Sequence, residues 1–291
     1  MVYCFKKKDL LSTMQTMNGI TNNKAIKKTI AVLITIAALF VVLCGCGKKQ
    51  EDTAYIGIIS AMDNEIAILL KETSVERVDE IADVEYYIGT LRGQPVIITR
   101  AGIGKVRASS GITAMFNKYN VSKVIFTGIA GGVADGTQVL DEIIATRLVE
   151  HDYGIVTNDG FVWRSGDPGF GDKEGEYYYC DPQLVDLAYA SSVQVVGEEH
   201  TFKGTVATGD QFIASEEYVK RLQEEYDAYA CEMEGASVAV ICLKYGKPFV
   251  VIRSLSDKAD GNAHDSYENF GDIAGANSSN IVLKMLESLG K

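Results

Sequence analysis

Residues 54–72 read AYIGIIS, then AM, then DNEIAILLKE. The run Ala54–Ser60 is short and almost wholly apolar, the pattern of a strand buried on both faces. Two residues later the period changes. Ile66, Leu69 and Leu70 fall on one face of a helix over Asp63–Glu72. A buried strand feeding directly into a helix is the repeating unit of an α/β fold. The alternation continues outward from this unit. Strands are expected at Glu85–Leu91 and Pro95–Arg100, joined by a turn at Arg92-Gly93-Gln94, and a helix at Lys105–Tyr119. A buried strand at Lys123–Thr127 runs out into Gly128-Ile129-Ala130-Gly131-Gly132, and Glu142–Val149 reads as another strand. His151–Tyr179, rich in glycine and aromatics and without periodicity, reads as a long loop. Beyond it come a helix at Leu184–Ser192, a strand at Lys203–Thr208 and helices at Glu216–Glu225 and Gly235–Tyr245. A strand at Phe249–Leu255 and a helix at Tyr267–Leu289 complete the series. The expectation is one α/β domain over residues 54–291, with helices on both faces of a mainly parallel or mixed sheet.

Charge divides the 291-residue chain unevenly. Six of its 28 basic residues and one of its 39 acidic residues lie in residues 1–45, which leaves the remainder at −16. So acidic a body is unsuited to nucleic acid, because phosphate affinity comes from Lys and Arg. The amino-terminal segment has its own logic. Lys24, Lys27 and Lys28 precede an uncharged run from Thr29 to Leu43, followed by Leu43-Cys44-Gly45-Cys46. A basic region, an apolar region and a small residue before a cut mark a secretory signal. Its 15 residues fall short of the roughly 20 a membrane-spanning helix needs. The ending resembles the bacterial lipobox, with Cys46 as the lipid-bearing residue. The other reading is an uncleaved anchor in which Cys44 and Cys46 are ordinary apolar residues. Residues 1–45 are thus expected to be a signal peptide, with Met17 a possible start, and 46–53 a polar tether leading to a lipid-anchored, extracytoplasmic domain. Cys180, Cys231 and Cys242 are odd in number and widely spaced, which favours neither a disulfide framework nor a zinc site. His151, His200 and His264 form no ligand pattern, so no metal or organic cofactor is indicated.

In α/β sheets ligands collect beyond the carboxyl ends of the strands. Those exits carry GIISAMDNE (57–65), AGIGKV (101–106), TGIAGG (127–132), TGDQFIAS (208–215) and RSLSDKAD (253–260), while CEMEGA (231–236) reads as two carboxylates, Glu232 and Glu234, opening a helix. Taken singly, each has a plain structural explanation. Asp63 and Glu65 suit a helix N-terminus, the glycines suit turns, Phe212 suits a core, and an Asp after a strand suits a helix cap. AGIGKV is not the GxGxxG of a dinucleotide site.

Together, in this order, the six segments resemble the motif series of the 5′-methylthioadenosine/S-adenosylhomocysteine nucleosidases, within the nucleoside phosphorylase-like superfamily, from Tyr55 onward. The resemblance implies a three-layer αβα fold and hydrolysis of the bond between adenine and a 5′-thio-substituted ribose. It makes Asp257 the acid that protonates N7 of the leaving base, with Ser256 orienting it, and Glu65 the base that activates water. Glu234 would accept the ribose 2′- and 3′-hydroxyls and Met233 would lie against the sugar. Phe212 would stack on adenine, the Ile213 backbone would read its N1/N6 edge, and Met62 and Ile103 would line the ribose and 5′ regions. The resemblance also implies a homodimer. Arg253 is read as structural. One departure stands out: many members have serine where this chain has Ile129, so polar support for Asp257 and the attacking water must come from Ser256, backbone or water. Two rival functions are a phosphorylase, which would need cations to hold phosphate, and a lipid-anchored nucleoside-binding protein, which would need neither Glu65 nor Asp257.

Overall fold

The first strand, β1 (Tyr55–Ser60), is buried along its whole length between two parallel neighbours, β4 (Gln94–Arg100) and β5 (Val121–Gly132). In this computed structural model, which describes residues 53–163 and 177–289, that trio is the centre of the molecule. The complete sheet runs β11-β10-β6-β12-β5-β1-β4-β3-β2. Its other members are β2 (Ser74–Ile81), β3 (Val84–Leu91), β6 (Glu142–Glu150), β10 (Thr201–Thr208), β11 (Ala228–Glu232) and β12 (Phe249–Asp257), with β9 (Tyr178–Tyr179) pairing to β6. Parallel pairs hold β4-β1-β5-β12 and β6-β10-β11, while β12 meets β6 and β2-β3-β4 meet antiparallel, so the sheet is mixed. The far end of β5 also pairs antiparallel with β11, Gly131 opposite Cys231, which curls the sheet back upon itself.

Helices cover both faces. On one side α1 (Asp63–Glu72) and α3 (Pro182–Val196) pack against the long α6 (Ala263–Leu289). On the other α2 (Lys105–Lys118) packs against α5 (Gly235–Lys244), and α4 (Glu216–Tyr226) lies over β10 and β11. The face of α6 that meets α1 is built of small residues. Gly275 sits where a Cβ would come within 3.2 Å of the Asn64 carbonyl, and Ser279 Oγ donates to the Glu65 carbonyl at 2.6 Å. Small residues let the two helices approach closely, and that approach fixes the turn of α1 carrying Glu65.

Several expectations need correction. The glycine segment 128–132 is not a strand exit: β5 continues through it to Gly132, because β12 on one side and β11 on the other keep its backbone paired. Strands β2 and β11 were not expected. His151–Tyr179 is not wholly a loop, since it holds a hairpin of β7 (Gly154–Thr157) and β8 (Gly160–Trp163) as well as β9. The rest of that stretch, 164–176, lies outside the described residues, as do the expected signal and Cys46. Among the described residues no helix is long and apolar enough to cross a membrane.

Candidate active site

One cavity of about 280 Å³ is lined by every residue singled out in the domain: Met62, Glu65, Ile103, Phe212, Ile213, Met233, Glu234, Ser256 and Asp257. They come from five separate places in the chain, and the curled sheet brings them together.

Glu65 stands in the first turn of α1, 3% exposed. Its Oε2 accepts from the amides of Ala61 at 2.9 Å and Met62 at 2.8 Å, at the end of a helix where the dipole favours an anion. The Ser60 hydroxyl adds a third contact to Oε2 at 2.7 Å, and the Ile129 amide donates to Oε1 at 2.9 Å. The carboxylate lies directly over Gly128, where a Cβ would come within 2.5 Å of Oε1; only a glycine leaves room for it.

Asp257 is the last residue of β12, 3% exposed. Ser256 Oγ donates to its Oδ2 at 2.8 Å and the Ala259 amide to Oδ1 at 2.7 Å. Burial raises its pKa above the ordinary aspartate value, and those two hydrogen bonds pull only partly against it. A carboxyl biased toward its protonated form in a cavity wall is equipped to give up a proton.

Glu234 caps α5 and receives the Gly104 amide at 2.8 Å. Gly104 adopts φ +96° at the start of α2, a conformation that turns this amide toward the carboxylate at little cost. Burial first, and then the nearby Glu232 charge, push Glu234 up to about 8. Glu232 does not open the helix beside Glu234 as the sequence suggested. It ends β11 and is satisfied from behind, by Arg253 Nη2 at 2.6 Å, the Gly235 amide at 2.7 Å and the Thr208 hydroxyl. Arg253 is fully buried and lies 4.1 Å over the Phe126 ring. Its charge is spent on Glu232, in keeping with a structural part. Phe212 and Ile103 remain 53% and 45% exposed and form the open mouth of the cavity.

Some residues that line the cavity or brace its loops carried no sequence signal. Tyr267 of α6 meets Phe212 edge-on at 6.4 Å and approaches Met62 Sδ with its hydroxyl at 3.6 Å. Asp210 ties two loops together: its carboxylate receives the Lys105 amide at 2.8 Å, and its own amide donates to Asp152 at 2.8 Å. The buried His151 ring fills the space a Cβ on Gly209 would need, and so supports the loop that carries Phe212. Only the position of Asp210, two residues before Phe212 in a quoted segment, hinted at any of this.

The sequence model of the phosphorylase superfamily matches residues 55–287. The 5′-methylthioadenosine/S-adenosylhomocysteine nucleosidase of Shewanella oneidensis is 37% identical over 235 residues, which cover 80% of this chain and 97% of that protein. The chain belongs to this nucleosidase family of the phosphorylase superfamily. The fold agrees. The Neisseria meningitidis nucleosidase, solved in complex with methylthio-immucillin-A, superposes with a TM-score of 0.73 at 30% identity, covering 80% of this chain and 99% of that one. Futalosine hydrolase of Helicobacter pylori gives a TM-score of 0.71 at 30% identity, covering 81% and 98%. A hydrolase of another name therefore fits almost as well, so within the family the substrate assignment rests on residues rather than on fold.

Proposed function

We propose that this member of the nucleosidase family hydrolyses the N-glycosidic bond of 5′-methylthioadenosine, S-adenosylhomocysteine and related 5′-substituted adenosines, releasing adenine. The observation that carries the reading is the placement of two buried carboxyl groups, Glu65 and Asp257, in one cavity with a third, Glu234, between loops that suit a nucleoside. Glu65 takes a proton from a water whose oxygen bonds to the anomeric carbon. The glycosidic electron pair leaves with the base, and Asp257 supplies the proton that base requires. Glu234 holds the ribose hydroxyls, Met233 and Met62 pack on the sugar, Phe212 stacks on adenine, and the Ile213 backbone reads its edge. Tyr267 keeps Phe212 in place from its edge.

Water, rather than phosphate, fits as the nucleophile. Among the described residues lining the cavity there is no lysine or arginine, and Glu65 would repel a phosphate dianion. Adenine and free sugar are expected from methylthioadenosine in phosphate-free buffer, at a rate that added phosphate does not raise. Strict dependence on phosphate, with a sugar 1-phosphate as product, would exclude the hydrolase.

We also propose that Cys46 carries lipid and holds the domain on the extracytoplasmic face, and that two copies pair. The first rests on the basic cluster, apolar run and Leu43-Cys44-Gly45-Cys46 ending. The second rests on the family and on the exposed apolar side chains Ile103, Val106 and Phe212 beside the cavity mouth. Palmitate labelling of the full chain that survives Cys46→Ala, or a monomer by sedimentation, would contradict the respective statement.

A further inference from the structure

The chain has an isoleucine at 129, so the strand that passes beneath Glu65 offers it a backbone amide and no hydroxyl. A hydroxyl nevertheless reaches that carboxylate, from the end of a different strand. We propose that Ser60 is a positioning residue for hydrolysis, its hydroxyl holding Glu65 in the orientation that faces the attacking water. This rests on the hydrolase reading and on the part given to Glu65 in it.

Ser60 is the last residue of β1 and is fully buried. Its Oγ lies 2.7 Å from Glu65 Oε2 and 2.8 Å from the carbonyl oxygen of Thr127 in β5. Among the described residues it is the one side chain that hydrogen-bonds the Glu65 carboxylate; the other three contacts are backbone amides of Ala61, Met62 and Ile129. The difference in kind matters. An amide can only donate, whereas a hydroxyl both donates and accepts. With two acceptors in reach, the Ser60 proton points to Oε2 while Glu65 is a carboxylate. Should a proton come to sit on Oε2, the hydroxyl can turn its own hydrogen to the Thr127 carbonyl and accept instead. The same side chain thus suits Glu65 before and after it takes the proton of water. Burial excludes solvent that would otherwise do this. Ser60 is not among the residues that line the cavity, so its removal leaves the nucleoside contacts in place.

The test is steady-state kinetics of the full chain with methylthioadenosine. Ser60→Ala is expected to lower kcat about tenfold or more, the usual worth of a hydrogen bond to a charged group, with KM held within about twofold. Ser60→Cys fills the site with a slightly larger group that donates only weakly. It should show the same split, and it serves where the alanine variant melts below the assay temperature. A kcat within about twofold of wild type in both variants would overturn the proposal. So would a parallel loss in kcat and KM accompanied by a lower melting temperature, which is the mark of a packing role alone. If Ser60→Ala is fully active while Glu65→Gln is inactive, only this proposal falls. If the wild-type chain releases no adenine, the hydrolase reading falls with it.

Discussion

Glu65→Gln is expected to reduce adenine release from methylthioadenosine by about 10²–10⁴-fold, the range over which a positioned general base contributes, while nucleoside binding stays within a few-fold of wild type. The geometry explains both halves of this expectation. Glutamine keeps the length of the side chain and one acceptor oxygen. Turned so that its oxygen replaces Oε2, it retains the Ala61 and Met62 amides and the Ser60 hydroxyl. Its amide nitrogen then replaces Oε1 and meets the Ile129 N–H, a donor facing a donor. The strain falls on one hydrogen bond, whereas the ability to take a proton from water is lost outright. Apart from Met62, whose amide keeps its acceptor, the residues proposed to hold the purine and ribose come from other segments and should be unaffected. Calorimetric titration of the variant with methylthioadenosine, beside chromatographic assay of adenine, separates the two effects. A variant that still turns over within tenfold of wild type would remove Glu65 from the chemistry.

That a glutamate at this place belongs to the site was legible in the sequence only as one member of a set. Alone it was a helix-end carboxylate, and the fold makes it that too. The strand-exit argument located Ser60–Glu65, Ala101–Val106 and Gly209–Ser215 because β1, β4 and β10 end where their apolar runs end. It misjudged Gly128–Gly132, because glycine normally punctuates a strand. Here β5 keeps glycine for another reason: Gly128 leaves room for Glu65 and Gly131 for Asp257, while β11 and β12 supply the pairing that holds the strand. Two strands were invisible for opposite reasons. Strand β2 is an exposed edge with charged residues at half its positions, so its pairing to β3 and not its composition makes it a strand. Strand β11 is five residues long and leads into Glu232 and Glu234, which drew attention to the acids and away from the backbone. Tyr267 and Ser60 were missed because their significance lies in tertiary contact. The hydroxyl expected from Ser256, backbone or water near the isoleucine departure is present on Asp257 from Ser256. On Glu65 a hydroxyl comes from Ser60, a residue quoted in the first segment and read there only as the end of a strand.

The arrangement of charge follows one scheme. Glu65, Glu232, Glu234 and Asp257 are all buried near one cavity, and among the described residues Arg253 is the one fully buried arginine or lysine set against them. Arg253 is committed to Glu232 behind the wall, so that pair forms a fixed charge-balanced support under Glu234 and Gly235. Among the described residues the three remaining acids have no salt bridge to a lysine or arginine, and their surroundings differ in local donors and burial. Glu65 has four donors around it, whereas Asp257 has two, and burial leaves its pKa raised. Two carboxyl groups with separate environments are what an acid–base division of labour requires.

Asp257→Asn should therefore abolish adenine release to a similar extent, about 10²–10⁴-fold, and the pH dependence should show why. In the wild type the proton donor is the neutral carboxyl, so kcat/KM is expected to fall as pH rises through the raised pKa of Asp257. In the variant the residual rate should lack that descending limb. Stability carries a parallel imprint. Because the folded-state pKa lies above the unfolded one, the folded protein binds more protons between the two values. The wild type thus keeps its full contribution from Asp257 below the unfolded pKa and loses it as pH rises through the folded pKa. Asparagine does not titrate and so removes this loss. It can still accept from one donor, but its NH₂ group faces the other, Ser256 or Ala259, at a cost that does not depend on pH. The difference in melting temperature, variant minus wild type, should consequently be more positive at pH 8 than at pH 4, whatever its sign at either. Thermal scans across that interval, paired with the rate profile, test one cause through two observables. A difference that stays flat with pH, together with an unchanged descending limb in the variant, would mean that another group donates the proton to the leaving base.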